Sequence, residues 1–348
     1  MKILITGNMG YVGPGVVSQL RKTYPQAELI GYDTGYFANC LSNPAYLPES
    51  KLNMQIFGDV RKVDPEILNG VTSVIYLAAI SNDPMGNKFE SVTMDVNYKS
   101  AVEMAKMARQ KGVRSFVFAS SCSMYGEASE GAKVETDTLN PLTAYARSKV
   151  FAEKDLQPLA GENFTITCLR FATACGYSNR LRLDLVLNDF VAGAVTSGEI
   201  TILSDGTPWR PLINVLDMAI AIEWAITRTP DAGGNFLAVN TGSNAWNYQV
   251  KDLANEVARI VPGVKVSLNP DAPPDKRSYK VNFDLYKKLA PRHQPIHDLE
   301  NTIRDLKSNL EAMHFNDTNY RNSYMIRLKI LNQLQENNHL NSLLSWNW

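Results

Sequence analysis

Two side chains with complementary chemistry, Tyr145 and Lys149, stand four positions apart in a stretch with helical spacing. Four residues make about one helical turn, so the phenol and the ammonium lie on the same face. A nearby positive charge favours the ionised phenol and is expected to lower the tyrosine pKa from about 10 toward neutral pH. The pair therefore predicts a tyrosine that exchanges protons in a reaction, although such pairs also occur on ordinary exposed helices.

A second group of residues that could do chemistry opens the chain. Gly7, Gly10 and Gly13 follow a short apolar run and precede residues with helical apolar spacing. Glycines at such a turn let the backbone approach a pyrophosphate, and the following helix supplies amide donors at its amino terminus. Because the spacing is G-x-x-G-x-x-G, a simple tight turn is the alternative interpretation. The strand and helix on either side favour a nucleotide-binding turn.

An acid at the end of the second predicted strand indicates which nucleotide would bind. Asp33 follows Gly13 by twenty residues. At that position a carboxylate can accept hydrogen bonds from both ribose hydroxyls and repels a 2′-phosphate. Asp33 therefore predicts NAD rather than NADP, with a solvated loop residue as the alternative interpretation.

The ends of the next two predicted strands carry further candidates for cofactor contacts. Asp59 and Val60 follow the third strand, where the Asp59 carboxylate could bind the adenine amine. Leu77, Ala78 and Ala79 end the fourth strand, and the two alanines are small enough for a cofactor to approach the backbone. As isolated features, these residues are equally well explained by packing within a sheet.

The elements that must position these residues follow from hydrophobic periodicity. Short apolar runs predict strands, and apolar positions every three to four residues predict helices. The predicted strands cover residues 3–6, 29–32, 54–57, 74–77, 115–119 and 165–170, and the predicted helices cover residues 11–23, 92–111 and 145–159. Because alternating strands and helices imply right-handed crossovers, the first half is predicted to be α/β, an open parallel sheet with helices on both faces.

The pattern changes after about residue 175. Predicted helices cover residues 180–196, 215–228 and 248–262, a strand covers 200–203, and the run at 233–239 resembles one more strand of the main sheet. With no repeat or low-complexity linker between them, the two lobes are predicted to be interwoven. The predicted domains are residues 1–175, with a returning segment near 212–245, and residues 176–348. The helix-rich end from about residue 299 carries no functional signal.

Composition narrows the possible partners. The 348 residues include 35 basic and 35 acidic side chains, which gives no support for a nucleic-acid or membrane partner. The four cysteines lack metal-ligand spacing, so no metal is predicted and the thiols are interpreted as reduced. No apolar run approaches the roughly 20 residues of a membrane span. The first residues resemble a buried strand rather than a signal peptide, which predicts a cytoplasmic protein.

Several motifs occur in an order that resembles a known family. The glycine turn, Asp33, Asn97, the stretch from Ser121 to Gly126, and Tyr145 with Lys149 are similar to extended short-chain dehydrogenase/reductases. The likeness, which extends to about residue 290, is greatest to the nucleotide-sugar epimerase/dehydratase branch typified by UDP-glucose 4-epimerase. It implies a Rossmann-type doubly wound parallel sheet with a smaller interwoven α/β substrate lobe. It also implies NAD, a nucleotide-diphosphate sugar, and a homodimer through a helix bundle.

The resemblance also implies roles by position. Tyr145 would be the acid/base acting on a sugar hydroxyl, and Ser121 would hydrogen-bond the same oxygen. Lys149 would bind the nicotinamide ribose and lower the pKa of Tyr145, while Asn97 would support the cofactor from the neighbouring helix. An ordinary helix tyrosine and a serine that caps a loop are the alternatives. The predicted cofactor contacts are Gly7, Gly10, Tyr11, Val12, Gly13, Asp33, Asp59, Val60, Leu77, Ala78, Ala79, Asn97, Tyr145 and Lys149.

Substrate contacts are predicted in both halves of the chain. Arg210 matches the family position at which an arginine holds the diphosphate, a group that suits the planar guanidinium. Arg277 is a second candidate, although either arginine could instead lie on the surface. Asn188 could reach the first phosphate or the sugar. The predicted substrate contacts are Ser81, Ser121, Cys122, Ser123, Thr173, Asn188, Arg210 and Arg277.

Two departures from the family pattern bear on the reaction. Thr173 stands where family members often carry an asparagine, which changes the predicted sugar contacts. Nucleotide-sugar 4,6-dehydratases typically have Asp-Glu after the residue corresponding to Ser121, whereas this chain has Cys122 and Ser123. The lack of these carboxylates disfavours elimination of water. Cys122 could donate a proton to a carbon beside a ketone, or it could be a buried, inert thiol.

The leading hypothesis is an NAD-dependent nucleotide-sugar epimerase that works by transient hydride transfer from a sugar carbon to NAD, with Tyr145 as acid/base. The first alternative is a nucleotide-sugar 4-dehydrogenase or 4-keto-sugar reductase with net turnover of NAD(H). A third is a non-catalytic Rossmann sensor. Such sensors commonly lose the reacting tyrosine or lysine, whereas this chain has both.

Overall fold

Short apolar segments form the strands, most of them in one sheet. The structure is a computed structural model that describes residues 1–43, 45–268 and 277–347. The strands are β1 (Lys2–Thr6), β2 (Glu28–Asp33), β3 (Met54–Phe57), β4 (Ser73–Tyr76), β5 (Ser115–Ser121), β6 (Glu127–Lys133), β7 (Thr165–Phe171), β8 (Thr173–Cys175), β9 (Glu199–Ile202), β10 (Trp209–Asn214), β11 (Phe236–Thr241), β12 (Asn247–Gln249), β13 (Lys265–Leu268) and β14 (Ser278–Val281).

The helices alternate with the strands in the first half and cluster toward the carboxyl terminus. They are α1 (Gly13–Thr23), α2 (Asp83–Lys88), α3 (Glu90–Met94), α4 (Ser100–Gln110), α5 (Ala144–Leu156), α6 (Val186–Thr196), α7 (Val215–Thr227), α8 (Val250–Ile260), α9 (Asp284–Leu289), α10 (Leu299–Ala312) and α11 (Arg327–Glu336). A π-helical turn (Asp95–Lys99) joins α3 to α4, so the predicted helix 92–111 is one nearly continuous helical stretch.

The central sheet is parallel and has its reversal of strand order beside β1. Within the described residues its order is β11-β7-β5-β4-β1-β2-β3, with every pairing parallel. Because β1 lies between β2 and β4, the connections leave it in opposite directions, and a crevice opens at the carboxyl ends of these strands. The predicted doubly wound Rossmann-type sheet is confirmed, and the residues after β1, β2, β3, β4 and β5 meet at one edge.

Helices cover both faces of the sheet because each has an apolar stripe. On one face, α1 packs beside α7 and buries Val16, Val17 and Leu20 against the strands. On the other face, α4 and α5 bury apolar side chains such as Met104 and Leu156. Each fully buried side chain of this size contributes roughly 1.5–3 kcal/mol, so these two layers hold the sheet edge in place.

A second lobe begins where the chain leaves β7. Strands β8, β10 and β12 form a small mixed sheet, β9 pairs with β13, and helices α6, α8 and α10 pack around them. Both α7 and β11 return to the main sheet, as the sequence predicted for the run at 233–239. The lobes are therefore interwoven through repeated crossings.

The largest disagreement with the predicted elements lies before α6. The predicted helix 180–196 starts only at Val186. The preceding segment is irregular, because Arg180 and Arg182 turn into the protein to form ion pairs with Glu49 and Asp184. Strand β10 was also missed, since its pairing partners lie far away in the chain and its own sequence has no alternation of apolar residues.

The carboxyl-terminal residues lie against the first half of the chain. Helix α10 packs on α6 and α8 in the second lobe, but α11 and the residues after it reach back to α2 and α3. Leu331, Leu340 and Leu344 are buried there with Phe89 and Val92. The helix-rich end predicted from residue 299 is confirmed, and its last part contacts the half with the nucleotide-binding turn.

Two classes of feature are missing from the part of the chain that the structure describes. None of the described helices combines the length and apolar character that crossing a membrane requires. Nor do His, Cys, Asp and Glu side chains form a group of three or more that could hold a metal ion, again among the described residues. The four cysteines are buried and unpaired with one another.

Candidate active site

A cavity of about 970 Å³ follows the carboxyl edge of the sheet and continues between the lobes. Its volume lies at the upper end of the range for ligand pockets. Most of the residues predicted from the sequence line it: Gly7, Gly10, Tyr11, Val12, Asp33, Asp59, Val60, Leu77, Ala78, Ala79, Ser81, Ser121, Ser123, Tyr145, Lys149, Thr173, Arg210 and Arg277. Gly13, Asn97, Cys122 and Asn188 do not line this cavity, so the direct contacts predicted for them have no counterpart in its lining.

The glycine turn is compact because two of its glycines have no room for a side chain. Gly7 has φ +74°, and a Cβ there would lie 2.5 Å from the backbone nitrogen of Ala78. A Cβ on Gly13 would overlap the Asn8 carbonyl. Gly13 thus lets α1 pack closely against the turn and does not line the cavity. Gly7 lets β1 and β4 approach each other closely at the cavity edge.

The two acids at the strand ends occupy different settings. Asp33 accepts hydrogen bonds from the backbone N–H groups of Met9 (3.0 Å) and Gly35 (2.7 Å). Burial nevertheless raises its pKa. Asp59 forms a 2.5 Å ion pair with Arg61. A ligand that binds beside the end of β3 would therefore contact the Arg61–Asp59 ion pair, which the sequence did not predict.

Asn97 holds the segment after β4 in place from behind the cavity wall. Its Oδ1 accepts from the Ile80 N–H (2.8 Å), and its Nδ2 donates to the Ile80 carbonyl (3.0 Å) and the Ser148 hydroxyl (3.2 Å). The π-helical turn at 95–99 places this amide inward, a use of such turns that is common near functional sites. Asn97 is thus a positioning residue in this structure and has no direct contact with the cavity.

Helix α5 presents the predicted reacting pair to the end of β5. Thr143 caps the helix by accepting a 3.1 Å hydrogen bond from the Ala146 N–H. The Tyr145 phenol and the Ser121 hydroxyl line the same cavity and are close enough for Ser121 to lower the Tyr145 pKa, while the Ser121 hydroxyl donates to that of Ser123 (2.9 Å). The ammonium of Lys149 donates to the Ala119 carbonyl (2.7 Å) and lies 5.6 Å from the centroid of the Tyr145 ring. Tyr145, Ser121 and Lys149 are therefore brought together as predicted.

The electrostatics of this group differ from the sequence prediction. Burial raises the pKa of Tyr145 to about 12, although the Ser121 hydroxyl and the charge of Arg182 act in the opposite direction. Burial also lowers the pKa of Lys149 to about 7. Burial thus acts on the Tyr145 pKa more strongly than the groups that lower it, and the predicted lowering of that pKa by Lys149 stays a prediction.

A buried ion pair that the sequence analysis missed completes the docking of α5. The carboxylate of Glu153 accepts hydrogen bonds from the Ser120 hydroxyl (2.5 Å) and from the Arg170 guanidinium (2.7 Å). Both charged side chains are almost completely buried. Since Glu153 lies four residues after Lys149, the same helical spacing could have identified it. The pair joins α5 to β7, and the hydrogen bond to Ser120 joins α5 to β5, so the register of α5 is fixed against both strands.

The substrate side of the cavity carries the predicted arginines. Arg210, on β10, donates to the Trp209 carbonyl (2.9 Å) and lines the cavity. Arg277 also lines it and forms a 2.6 Å ion pair with Asp83, at the start of α2. Two guanidinium groups thus line the cavity from segments that lie far from the glycine turn in the sequence.

Two predicted substrate residues are buried behind the wall. The Cys122 thiol donates to the Arg170 carbonyl (3.0 Å), and burial raises its pKa, so the alternative of an inert thiol fits the structure. Asn188 accepts from the Gly176 N–H (2.9 Å) and donates to the Tyr11 hydroxyl (3.1 Å). Neither side chain is placed to touch a substrate.

A cluster around Arg182 forms a part of the wall that the sequence analysis did not identify. Arg182 forms two hydrogen bonds with Asp184 (2.8 and 2.9 Å) and donates to the Ser81 hydroxyl (2.9 Å). Asn82, at φ +142°, donates to the same aspartate (2.8 Å). The alternation of arginine and leucine at residues 180–183 could have identified this cluster, but these residues were assigned to the helix predicted over residues 180–196.

Comparisons with known proteins agree with this arrangement. A sequence model described as the NAD dependent epimerase/dehydratase family matches residues 3–242. An uncharacterized UDP-glucose epimerase of Bacillus subtilis, YtcB, is 27% identical over 268 residues, which are 74% of this chain and 82% of the relative. Among solved structures, MoeE5 in complex with UDP-glucose and NAD has a TM-score of 0.76 at 21% identity, covering 90% of this chain and 99% of that one.

The same fold also occurs in a protein described as a dehydratase. TunA, an NAD-dependent NDP-hexosamine 5,6-dehydratase involved in tunicamycin biosynthesis, has a TM-score of 0.77 at 22% identity, covering 89% of this chain and 98% of that one. At such identities the structural likeness shows the fold alone. Epimerase and dehydratase chemistry therefore have to be separated by the residues of the site.

The fold, the site and the family match together define an NAD-dependent enzyme of the extended short-chain dehydrogenase/reductase fold. The chain belongs to the NAD-dependent epimerase/dehydratase family, whose members act on nucleotide sugars.

Proposed function

We propose that the chain is an NAD-dependent nucleotide-sugar epimerase that works by transient oxidation of a sugar hydroxyl carbon. The observation that carries the proposal is the meeting of Ser121 and Tyr145 between the glycine turn and the substrate-side arginines, in one cavity. When bound, NAD supplies the site for a hydride taken from the sugar carbon and later returned to it.

The residues at the sheet edge fit that cofactor. Gly10 lines the cavity without a side chain that would keep a pyrophosphate away, and Val12, the residue that precedes α1, lines the same cavity. We infer that Asp33 accepts hydrogen bonds from the adenosine ribose, and that Leu77, Ala78 and Ala79 border the cofactor backbone. Lys149 would bind the nicotinamide ribose.

Tyr145 would move the proton. Its phenolate would take the proton of the sugar hydroxyl, while Ser121 donates or accepts at the same oxygen. Because burial raises the Tyr145 pKa to about 12, the phenolate needs positive charge nearby. Lys149 and Arg182 are the cations placed to supply it. Arg210 and Arg277 would hold the diphosphate of the substrate, with Thr173, Ser81 and Ser123 nearest the sugar.

The carboxylates of the cavity argue against elimination of water. Asp83 pairs with Arg277, and Asp184 pairs with Arg182, so neither is placed as an unpaired proton carrier. Ser123 has no acidic proton, and Cys122 is buried away from the cavity. The family resemblance implies that nucleotide-sugar 4,6-dehydratases carry Asp-Glu directly after the residue that corresponds to Ser121, where this chain has Cys122 and Ser123. Among the residues that the structure describes, no unpaired carboxylate is therefore placed beside Ser121 to move protons at neighbouring carbons.

A dehydrogenase or reductase with net turnover of NAD(H) is the second candidate. The same residues would serve it, because hydride transfer and proton transfer are common to both reactions. The difference is whether the cofactor stays bound and returns the hydride to the same sugar. A non-catalytic sensor is a third candidate, against which the presence of both Tyr145 and Lys149 argues.

The experiment that tests the proposal measures cofactor content and stereochemistry together. The purified protein is denatured, the released nucleotide is identified, and nucleotide sugars are followed by NMR without added NAD. Bound NAD(H) and inversion at one sugar carbon without net redox would support the epimerase. Conversion only with stoichiometric external NAD(H) would show a dehydrogenase or reductase, and no conversion of any nucleotide sugar would favour the sensor.

Several wider features remain proposals. We propose that the lobe of residues 176–348 mainly binds the nucleotide sugar, and that the protein is cytoplasmic. A homodimer through the helices that contain residues 97–111 and 145–159 would cover Phe151, which is 42% exposed and contacts Tyr98 on the outer face of these helices. Sedimentation of the purified protein would test that assembly.

A further inference from the structure

The last described residues pack against segments that line one end of the cavity. Helix α11 and the residues after it bury Leu331, Leu340 and Leu344 against Ile80 and Phe89, in the segment that follows β4. Leu344 is fully buried, although its φ of +54° is unusual for a residue with a side chain. A backbone held in that conformation indicates that the surrounding contacts determine its position.

Hydrogen bonds attach this layer to the residues that follow β2. The Tyr36 hydroxyl donates to the Leu344 carbonyl. The indole N–H of Trp346 donates to the Thr34 carbonyl (2.8 Å), and the Trp346 ring lies 5.7 Å from the Tyr36 ring. Thr34 and Tyr36 come directly after Asp33, the acid expected to bind the ribose. The attachment is therefore made within three residues of that acid.

A third attachment reaches the residues that follow β3. The Arg61 guanidinium, which pairs with Asp59, also donates to the Leu343 carbonyl (2.6 Å) and to the Ser345 hydroxyl (3.2 Å). One side chain thus connects the carboxyl terminus to the acid after β3. The contacts with Thr34 and Tyr36 and those with Arg61 lie at the edge of the sheet where a dinucleotide of this fold places its adenosine half.

The beginning of the same segment forms part of the cavity wall. Ile326 and Arg327 line the cavity together with Tyr36 and Phe37. Arg327 is 1% exposed, lies 4.9 Å from the centroid of the Phe37 ring, and donates to the Arg180 carbonyl (2.8 Å). The segment thus lines the cavity with its first residues and supports the lining residues after β2 and β3 with its last ones.

We propose that residues 326–347, here called the C-terminal strap, complete the binding site for the adenosine half of NAD and slow its release. The family match ends at residue 242, so the strap lies outside the matched part of the chain. A transient oxidation needs the reduced cofactor to stay bound until the hydride returns, and the strap supplies a means of retention. The inference rests on NAD occupying the cavity and does not depend on which sugar reaction follows.

Two adjacent leucines provide the test and its matched control. Leu344 is fully buried in the strap, whereas the side chain of Leu343 is 53% exposed. Leu344→Ala is expected to release NAD at least about tenfold faster than the unchanged protein, because it removes buried contacts that hold the strap closed. Leu343→Ala keeps its carbonyl on Arg61 and is expected to stay within about twofold. Release is measured by stopped-flow displacement of bound NAD with excess ADP-ribose.

Affinities measured at equilibrium show which part of the cavity Leu344→Ala affects. In Leu344→Ala the affinity for ADP-ribose is expected to fall together with that for NAD, while the affinity for UDP, which would bind in the second lobe, stays unchanged. A fall for UDP of the same size would mean general loss of structure and would overturn the proposal. Equal NAD release from Leu344→Ala and the unchanged protein would overturn it as well.

If Leu344→Ala does not fold, a milder substitution in the strap still tests the proposal. Trp346→Phe removes the hydrogen bond to the Thr34 carbonyl while keeping an aromatic ring, and is expected to speed NAD release about threefold to tenfold. An unchanged rate in this folded variant would contradict the strap. If the expected retention is observed but no sugar is epimerised, the proposed reaction fails while the strap stands.

Discussion

The two ends of the cavity are built in different ways. At the cofactor end, the glycine turn and Asp33 come from consecutive elements, β1, α1 and β2. At the substrate end, the Arg277–Asp83 pair joins side chains 194 positions apart, and the Arg321–Asp189 pair joins side chains 132 positions apart. The glycine turn and Asp33 therefore depend on local spacing, whereas the substrate end, like the strap at the cofactor end, depends on how distant segments pack.

The boundary between the two ends is where the reacting group lies. Tyr145 and Lys149 come from one helix, but their partners Ser121 and Ala119 come from a strand that precedes it by more than twenty residues. The comparison predicts that changes at the boundary abolish the reaction, while changes at either end weaken one ligand and spare the other.

The largest effect is expected at the boundary itself. Tyr145→Phe removes the proton-transferring hydroxyl and should lower turnover of the nucleotide sugar by about 10²–10⁴-fold, the usual contribution of a general acid/base. NAD content should stay unchanged, because the phenol is not needed to seat the adenosine half. Turnover is measured by NMR and NAD content by denaturation. Tyr98→Phe, on the outer helix face, is the control, and full activity of Tyr145→Phe would exclude the assigned role.

The buried ion pair behind α5 is expected to show a large effect on stability. Glu153→Gln leaves the Arg170 guanidinium buried without its counter-charge, which should lower the free energy of unfolding by about 3–5 kcal/mol. Urea denaturation followed by circular dichroism measures this change. The control is Glu256→Gln in an exposed pair with Arg259, where no measurable change is expected. Similar stability of the two variants would mean that the pair does not fix the register of α5.

At the cofactor end, Asp33→Ala should weaken NAD binding by about tenfold to a hundredfold, since it removes charged hydrogen bonds to the ribose. The affinity for NADP should change much less, because the carboxylate that repels its 2′-phosphate is gone. Isothermal titration calorimetry with both nucleotides measures the difference. Asp64→Ala, which alters a capping aspartate away from the cavity, is the control. An equal loss for NAD and NADP would contradict the role of Asp33.

At the substrate end, Arg277→Ala should raise the KM for the nucleotide sugar by about tenfold, the smallest of these effects, since Arg210 would still face the diphosphate. NAD affinity should not change. Arg259→Ala, in the exposed pair with Glu256, is the control. If Arg277→Ala weakened NAD as much as the sugar, the division of the cavity into two ends would be wrong.

The parts of the molecule that the sequence predicted are those with short-range signals. Strands β1 to β5 and their glycine turn were recognised because each apolar run stands alone between turn residues. Tyr145 and Lys149 were recognised because four positions make about one helical turn. Cys122 and Asn188 lie behind the cavity wall, which the sequence did not indicate, since spacing cannot distinguish a residue at the cavity from one just behind its wall.

The sequence by itself determined the doubly wound sheet, the glycine turn and the helical face that Tyr145 and Lys149 share, because each depends on periodicity within about twenty residues. Only the tertiary structure decided the desolvation of Tyr145 and Lys149, the Arg182 cluster and the strap that joins Tyr36 to Leu344, residues 308 positions apart. Burial and ion pairing are properties of segments brought together by folding, and no local pattern in the chain records which segments will meet.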